Sequence, residues 1–274
     1  ESTNKLTFTV DLFSKESIDN ELEQYRVKQR FDGKVSDSVE KILKEVLKTE
    51  KDVDIDTTLN EFCFIGNVEK PFYKIAWLGP RSVPDVKDAK GNLAGFFFYE
   101  TYDGFKFKSI DKLFRQDPKR KLIFNNIIES SPPEGYDIKI LDYYFDSTFD
   151  LKKSLVTGDL FNTKLKAVNA YESAYRENGF DYKSQELVDN LGGKEFPLVA
   201  FDLKAQEQIT RISYKWDDPG FLVPGKDLLT QLLKSTYINY SNDEILRQSY
   251  VRYNNLFNVK LSVTIAGDMS LRAG

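Results

Sequence analysis

The chain has 274 residues, 41% hydrophobic and 30% charged, enough to bury the core of one large domain or two smaller ones. Its formal net charge of -4 argues against the overall basic excess of nucleic-acid-binding proteins. The sequence has no histidine and one cysteine, Cys63, which excludes histidine catalysis, histidine–metal sites, zinc sites and a disulfide within the chain. No apolar run approaches the roughly 20 residues that a membrane span needs. We therefore expect no metal, cofactor, membrane span or specific nucleic-acid partner.

The first segment alternates between apolar and polar residues. Leu6, Phe8 and Val10 fall on one face, which predicts a half-buried strand. The chain begins at Glu1 and its only methionine is Met269, so we expect it to be an internal piece of a longer protein.

Residues 35–51 carry the clearest helical pattern. Their apolar residues follow the i, i+3, i+4, i+7, i+8 spacing of a buried stripe, namely Val39, Ile42, Leu43, Val46 and Leu47. Asp37 with Glu40 has the spacing of a capping box, and Ser36 is the other candidate for the N-cap. The pattern predicts a helix packed on a sheet.

The next segment resembles part of a calcium-binding loop. Asp52, Asp54 and Asp56 stand at positions one, three and five of an EF-hand, but Thr57 replaces its glycine and Cys63 its bidentate glutamate. A solvated acidic loop after the helix is the favoured interpretation.

Residues 67–84 predict a short helix, with Pro71 at its first position and Gly79-Pro80 at its end. An aromatic hairpin is predicted over 94–111, because Asp103-Gly104 between aromatic runs favours a type I′ turn. That turn pairs Tyr102 with Phe105, Glu100 with Phe107 and Phe98 with Ser109.

The predicted hairpin has two unlike faces. The core face carries five aromatic residues, namely Phe96, Phe98, Tyr102, Phe105 and Phe107. The reverse face is amphipathic and partly wet, and on it Tyr99, Lys106 and Lys108 are the candidate interaction residues.

Beyond residue 125 the pattern changes. Residues 129–135 have the composition of a linker, 136–145 and 209–216 read as strands, and 179–234 resembles a loop-rich insertion. Residues 163–178 fit either a strand or a helix, and we favour a long strand.

The end of the chain gives clearer signals. Ser241 and Glu244 form a capping box for a helix with an apolar face, namely Ile245, Leu246, Tyr250, Tyr253 and Leu256. The residues after it alternate strictly as in a strand, namely Val259, Leu261, Val263 and Ile265. The whole chain is predicted to be α+β and rich in antiparallel strands.

The order of these elements resembles a known family. The segments FTVDLFSKESIDNELEQYRV, KQRFDGKVSDSVEKILKEVL, KPFYKIAWL, GFFFYETYDGFKFKSIDKLF and VKLSVTIAGDMSLRAG follow one another as in the baseplate central hub proteins of contractile-tailed bacteriophages of the T4 type, especially marine myophages. Such hubs are similar to the base of type VI secretion spikes. The resemblance covers most of 1–125 and about 235–274, and is weak across 180–234.

The resemblance implies an architecture and a function. Family members are trimers in which each subunit carries two antiparallel β-barrels, and the six barrels adapt the sixfold tail tube to the threefold central spike. Residues 1–30 would be the closing strand and exit of a first barrel that is mostly missing. Residues 31–125 would form an inserted α/β domain with two helices and the aromatic hairpin, and 126–178 plus 235–274 the second barrel, with 179–234 inserted in it. The protein would have no catalytic activity and would reside in the virion after assembly in the host cytoplasm.

Two alternative functions stay open. With 43 Asp and Glu residues, a carboxylate-pair glycosidase that cleaves cell walls is conceivable, and its pair would be recognised by a spacing of about 5 Å or about 6.5–9.5 Å. A carbohydrate- or peptide-binding module would instead use exposed aromatic residues, with Tyr99, Lys106 and Lys108 as its surface.

Overall fold

The computed structural model describes the N-terminal half of the chain almost completely and several separate segments of the rest. The described ranges are 11–85, 93–125, 131–146, 162–169, 174–181, 211–216, 242–256, 260–268, 270, 271 and 273. The strand predicted at Leu6, Phe8 and Val10 lies outside these residues, as does Ser241, the predicted cap of the last helix.

Helices and strands both occur throughout the described residues, as the α+β prediction requires. The helices are α1 Lys15–Asp19, α2 Val35–Lys41, α3 Pro71–Leu78, α4 Ile110–Phe114 and α5 Asn242–Leu256. The strands are β1 Arg30–Phe31, β2 Val53–Ile55, β3 Phe64–Ile65, β4 Phe96–Thr101, β5 Gly104–Ser109, β6 Leu122–Phe124, β7 Ile138–Asp146, β8 Asn162–Asn169, β9 Ala174–Asp181, β10 Arg211–Trp216 and β11 Lys260–Ile265.

The largest core forms where α2 and α3 pack on the sheet β2-β5-β4, in which β2 is parallel and β4 antiparallel to β5. The apolar stripe predicted from Val39 to Leu47 is buried in this core, and Val46 is its only half-buried member. It contacts aromatic side chains of the hairpin, which stack in pairs such as Phe96 with Phe107, 4.8 Å between ring centroids. Burial of these large side chains, each worth about 1.5–3 kcal/mol, is the main stabilisation of this layer.

The predicted hairpin is present, but its register was wrong by two residues. Thr101 pairs with Gly104, so the two-residue loop is Tyr102-Asp103, and Phe98 pairs with Phe107. A shift of two residues keeps every side chain on its predicted face. Tyr102 is the exception, because the turn places it at the tip, where it is 91% exposed.

Contact with a neighbouring strand explains why the glycine follows the turn. Gly104 has φ +129°, and a Cβ atom there would lie 2.2 Å from the carbonyl oxygen of Asp52. Phe105 N donates to the same oxygen at 2.9 Å, which begins the β2–β5 pairing. Contact with β2, the third strand of this sheet, therefore determines the register of the hairpin. A prediction made from the two hairpin strands alone does not include that contact.

The cap predicted for the first helix was also wrong. The helix begins at Val35, one residue before Ser36, and a π-helical turn over Ile42–Val46 extends it. The Ser36 backbone N–H donates to Thr58 Oγ1 at 2.9 Å, a residue that follows β2 in sequence. A side chain distant in sequence thus takes the place of the local capping box. The predicted helix at Pro71 is confirmed, with proline at its first position.

Two further sheets lie in the second half of the chain. β7 pairs antiparallel with β11 and parallel with β6, and β8 pairs antiparallel with β9 and parallel with β10. The long strand predicted over 163–178 was wrong, because β8 and β9 form an antiparallel pair instead. Each of the three larger sheets thus combines one antiparallel with one parallel strand pair, and the short β1–β3 pair is antiparallel. The strands of the described residues form no closed barrel, so the barrels and the proposed domain boundaries stay predictions.

Candidate functional site

The three predicted interaction residues lie together on the reverse face of the β4–β5 hairpin. Tyr99 is paired directly with Lys106, and Lys108 follows on the same face. Tyr99 and Lys106 are half-buried, but Lys108 is only 9% exposed. Burial raises the pKa of the Tyr99 hydroxyl. Whether this face contacts a partner stays a prediction.

An ion-pair network engages both lysines. Lys108 Nζ lies 2.5 Å from Asp54 Oδ1 and 3.0 Å from Asp56 Oδ1, and Lys112 Nζ lies 2.8 Å from the same Asp56 oxygen. Lys106 Nζ lies 3.6 Å from Asp54. The parallel β2–β5 pairing brings these charges together, since Asp54 stands opposite Lys106.

This network changes the interpretation of the acidic segment. The hydrogen bond from Lys108 lowers the pKa of Asp54. Burial lowers the pKa of Lys108, but hydrogen bonds to Asp54 and Asp56 outweigh it, and the net pKa is raised. The solvated loop predicted over Asp52–Cys63 was therefore wrong: Asp54 lies in a strand and Asp56 is buried. Within the described ranges no group of side chains is arranged to hold a metal ion.

A cleft of about 500 Å³ opens where β2 and β5 end, beside α4. It is lined by two apolar residues, two hydroxyl residues, three carboxylates and two cations, namely Ile55, Pro84, Thr57, Ser109, Asp56, Asp85, Asp111, Lys112 and Arg115. Its mixed charge distinguishes it from an acidic metal-binding site.

Asp111 in this cleft forms the most deeply buried ion pair of the described residues. Its Oδ1 lies 2.5 Å from a guanidinium nitrogen of Arg252 on α5, and each side chain is 1% exposed. Burial raises the pKa of Asp111, and the Arg252 charge opposes that shift. The second carboxylate oxygen, Oδ2, is buried without a hydrogen-bond partner.

The face of α5 that carries Arg252 also binds the backbone segment that leads into β4. Arg252 donates to the carbonyl oxygens of Leu93 and Ala94 at 2.9 and 2.8 Å. Gln248 Oε1 accepts from Ala94 N at 2.8 Å. The Tyr253 hydroxyl accepts from Phe96 N at 3.0 Å and donates to Phe96 O. The helix thus satisfies backbone groups at the outer edge of β4, on the side where none of the described strands pairs with it.

The sequence reasoning missed this polar contact surface. It assigned α5 an apolar face, whereas Ser249 and Arg252 are buried and Tyr250 is 46% exposed. The signal that could have found it is helical spacing, because Leu246, Ser249 and Arg252 are three residues apart and share one face.

A second candidate surface lies on the sheet β6-β7-β11. Leu261 pairs with Phe145 and Val263 with Tyr143, and the Phe124 and Tyr143 rings touch with centroids 4.6 Å apart. The opposite face is largely polar, with Lys260 opposite Asp146 and Thr264 opposite Asp142. We call the first set the apolar sheet face (Phe124, Tyr143, Phe145, Leu261, Val263), and each of its side chains is 37–56% exposed.

The glycosidase alternative has a place where it could operate, since the cleft gathers Asp56, Asp85 and Asp111. Each of the three carboxylates is paired with at least one cationic side chain, and a catalytic pair among them stays a prediction.

No model of a known protein family matches the chain, and no curated protein is significantly similar to it. None of the helices within the described ranges combines the length and apolarity needed to cross a bilayer.

Proposed function

We propose that the chain is a structural subunit of a baseplate hub from a contractile-tailed bacteriophage of the T4 type. In this proposal it forms a trimeric adapter between the tail tube and the central spike and resides in the virion after assembly in the host cytoplasm. It acts by assembly and carries out no catalysis. The order of elements along the sequence suggests the family. The exposed apolar sheet face is the observation that supports a role in assembly.

The area of the apolar sheet face supports assembly. An aromatic side chain offers about 150–250 Å², so five large side chains exposed at 37–56% leave several hundred square ångströms uncovered. That is comparable with the largest patches on monomers, about 300–600 Å², and approaches the roughly 800 Å² that one partner contributes to a standard interface.

The occupant proposed for this face is a different surface of a second copy of the chain, because a ring of three closes through contacts between unlike surfaces. The face carries no charged residue, so it offers no electrostatic selection for a charged partner. Apolar cores of this kind are typical of contacts between identical subunits. Cyclic symmetry then repeats the contact around a closed ring.

The oligomeric state of the chain tests the proposal. Sedimentation over a range of concentrations should reveal trimers that Phe145→Glu abolishes. Ser262→Glu is the matched control, because it places the same charge on the opposite face of the same sheet. A chain that remains monomeric at high concentration, or one whose trimer withstands Phe145→Glu, contradicts the assembly role.

The assignment to a phage hub needs its own experiment. Electron microscopy of the protein mixed with candidate spike and tube proteins should reveal a threefold ring with sixfold pseudosymmetry. Trimers that bind neither partner would retain the assembly role and contradict the hub assignment. Hydrolysis of peptidoglycan by the purified chain would contradict the absence of catalysis.

A further inference from the structure

The helix α1 turns its polar side chains toward the protein and its apolar side chains toward solvent. The buried side chains of the helix and its C-cap are Glu16 and Asn20, each 7% exposed. The large apolar side chains of the same segment are 43–88% exposed, namely Leu12, Phe13, Ile18 and Leu22. An amphipathic helix that packs on its own domain has the opposite arrangement. We call these four residues the α1 apolar patch.

Polar contacts fix α1 in this orientation. Glu16 Oε1 accepts from Thr49 Oγ1 at 2.9 Å, and Glu16 Oε2 lies 2.8 Å from Lys51 Nζ. Asn20 Oδ1 accepts from the backbone N–H of Phe72, in the first turn of α3, at 2.8 Å. None of the four patch residues belongs to the buried core of the described residues. The helix therefore attaches through its polar side and leaves its apolar side for another molecule.

The spacing of the α1 apolar patch places its members close together. Phe13 precedes the N-cap Ser14 and Ile18 is the fourth helical residue, which is the spacing of a hydrophobic staple. Leu22 follows four residues after Ile18, and the hydrogen bond from its N–H to Asp19 O continues the turn. Single exposed leucines are ordinary, but a cluster of large apolar side chains in so short a segment is typical of an interaction surface.

The size of this patch suits a contact that is repeated around a ring. Its four side chains leave less area uncovered than the roughly 800 Å² that one partner contributes to a standard interface. A single contact of this size between two different proteins would be weak. In a closed ring of identical subunits the last contact forms within the assembly, where the effective concentration is high.

The charges of the segment argue against other occupants. Between Asp11 and Glu23 the chain has five carboxylates and one lysine, and two of the carboxylates are paired with lysines elsewhere in the chain. The other carboxylates outnumber the single cation, so an anionic lipid surface or a nucleic acid would be repelled. The apolar sheet face carries no charge and meets the patch without repulsion.

We propose that the α1 apolar patch of one copy binds the apolar sheet face of the next copy, a pairing that rests on the assembly role proposed above. Each copy offers one surface of each kind, so the same contact repeats around a closed ring of three. Both apolar surfaces are then covered in every subunit.

Sedimentation of single variants provides the first test. Ile18→Glu should raise the dissociation constant of the trimer at least about tenfold, as we expect for Phe145→Glu on the other surface. Ala76→Glu is the matched control, because it places the same charge at an exposed position of α3 outside the patch. Circular dichroism verifies folding, and since Ile18 is 59% exposed we expect its replacement to leave the fold intact.

Cross-linking of two different variants tests the pairing itself. A chain with Ile18→Cys is mixed with a chain with Leu261→Cys under mild oxidation, and the native Cys63 does not interfere because it is buried. We expect a disulfide between the two unlike chains to form at least about tenfold faster than when Glu40→Cys, at an exposed position of α2, replaces Ile18→Cys.

The outcomes distinguish this pairing from the assembly role. A trimer that Phe145→Glu disrupts and Ile18→Glu leaves intact retains the assembly role and overturns the pairing, as does a cross-link no faster than that of the control. A wild-type chain that stays monomeric overturns both. Binding to phosphatidylcholine vesicles that Ile18→Glu abolishes would make a lipid surface the occupant and would also overturn the pairing.

Discussion

Replacing Arg252 with methionine should destabilise the protein severely. Arg252 and Asp111 are each 1% exposed, so solvent screens their interaction very little. The variant leaves the Asp111 carboxylate buried without its cation, and it removes the donors to the Leu93 and Ala94 carbonyl oxygens. Loss of one member of a buried pair costs about 3–5 kcal/mol, and we expect a loss in that range.

Urea denaturation followed by circular dichroism measures this loss. With a slope of about 1–3 kcal/mol per molar urea, the midpoint should fall by at least about 1 M. The double variant Arg252→Met/Asp111→Leu should recover much of the stability, because removing both partners leaves no uncompensated charge. Arg120→Met is the matched control: Arg120 and Asp268 are 37% and 17% exposed, so solvent screens their ion pair, and the expected loss is under about 1 kcal/mol.

Two outcomes would refute this reasoning. A loss for Arg252→Met no larger than that for Arg120→Met would mean that the buried pair does not hold α5 in place. A double variant less stable than Arg252→Met alone would mean that packing, and not the uncompensated charge, is the dominant effect.

Three further predictions concern the core and the ion-pair network. Gly104→Ala should lower the melting temperature more than Gly33→Ala. Both glycines have positive φ, but only at Gly104 would a Cβ atom meet backbone, 2.2 Å from the Asp52 carbonyl oxygen. Equal decreases in melting temperature would exclude this steric explanation. Thr58→Val should cost about 1–3 kcal/mol in urea denaturation, because it removes the buried acceptor of the Ser36 N–H, and a neutral result would show that water replaces the hydroxyl. The pKa of Asp54 is lowered in the folded state, so its ion pair stabilises the protein above the unfolded pKa of about 3.9 and this contribution is lost as pH falls through the folded pKa. The midpoint difference between wild type and Asp54→Asn should therefore shrink on acidification from pH about 7 to below about 3, and a difference independent of pH would contradict the assignment.

Periodicity in the sequence predicted the individual elements well. The stripe from Val39 to Leu47, the helix at Pro71 and the aromatic face of the hairpin each depend on neighbours within one or two turns or strands. Such patterns are local, so the sequence contains them directly.

Contacts between distant segments could not be predicted in the same way. The hairpin register depends on Asp52, the cap of α2 on Thr58, and the burial of Asp111 on Arg252. Each is a pairing between chemically ordinary residues, and no spacing rule connects them. The cleft was missed for the same reason, because its lining comes from β2, the segment at Pro84 and α4, which only the folded chain brings together.

The distance along the chain between Arg252 and its partners has a consequence for synthesis. Arg252 is 141 residues from Asp111 and Tyr253 is 157 residues from Phe96. Because a ribosome adds about 5–20 residues per second, the aromatic hairpin emerges many seconds before α5 exists. During that interval the edge of β4 has unsatisfied backbone groups and Asp111 lacks its cation. We therefore expect a nascent chain stalled before residue 242 to be open to strand pairing with other chains, and to become resistant to it once α5 has been made.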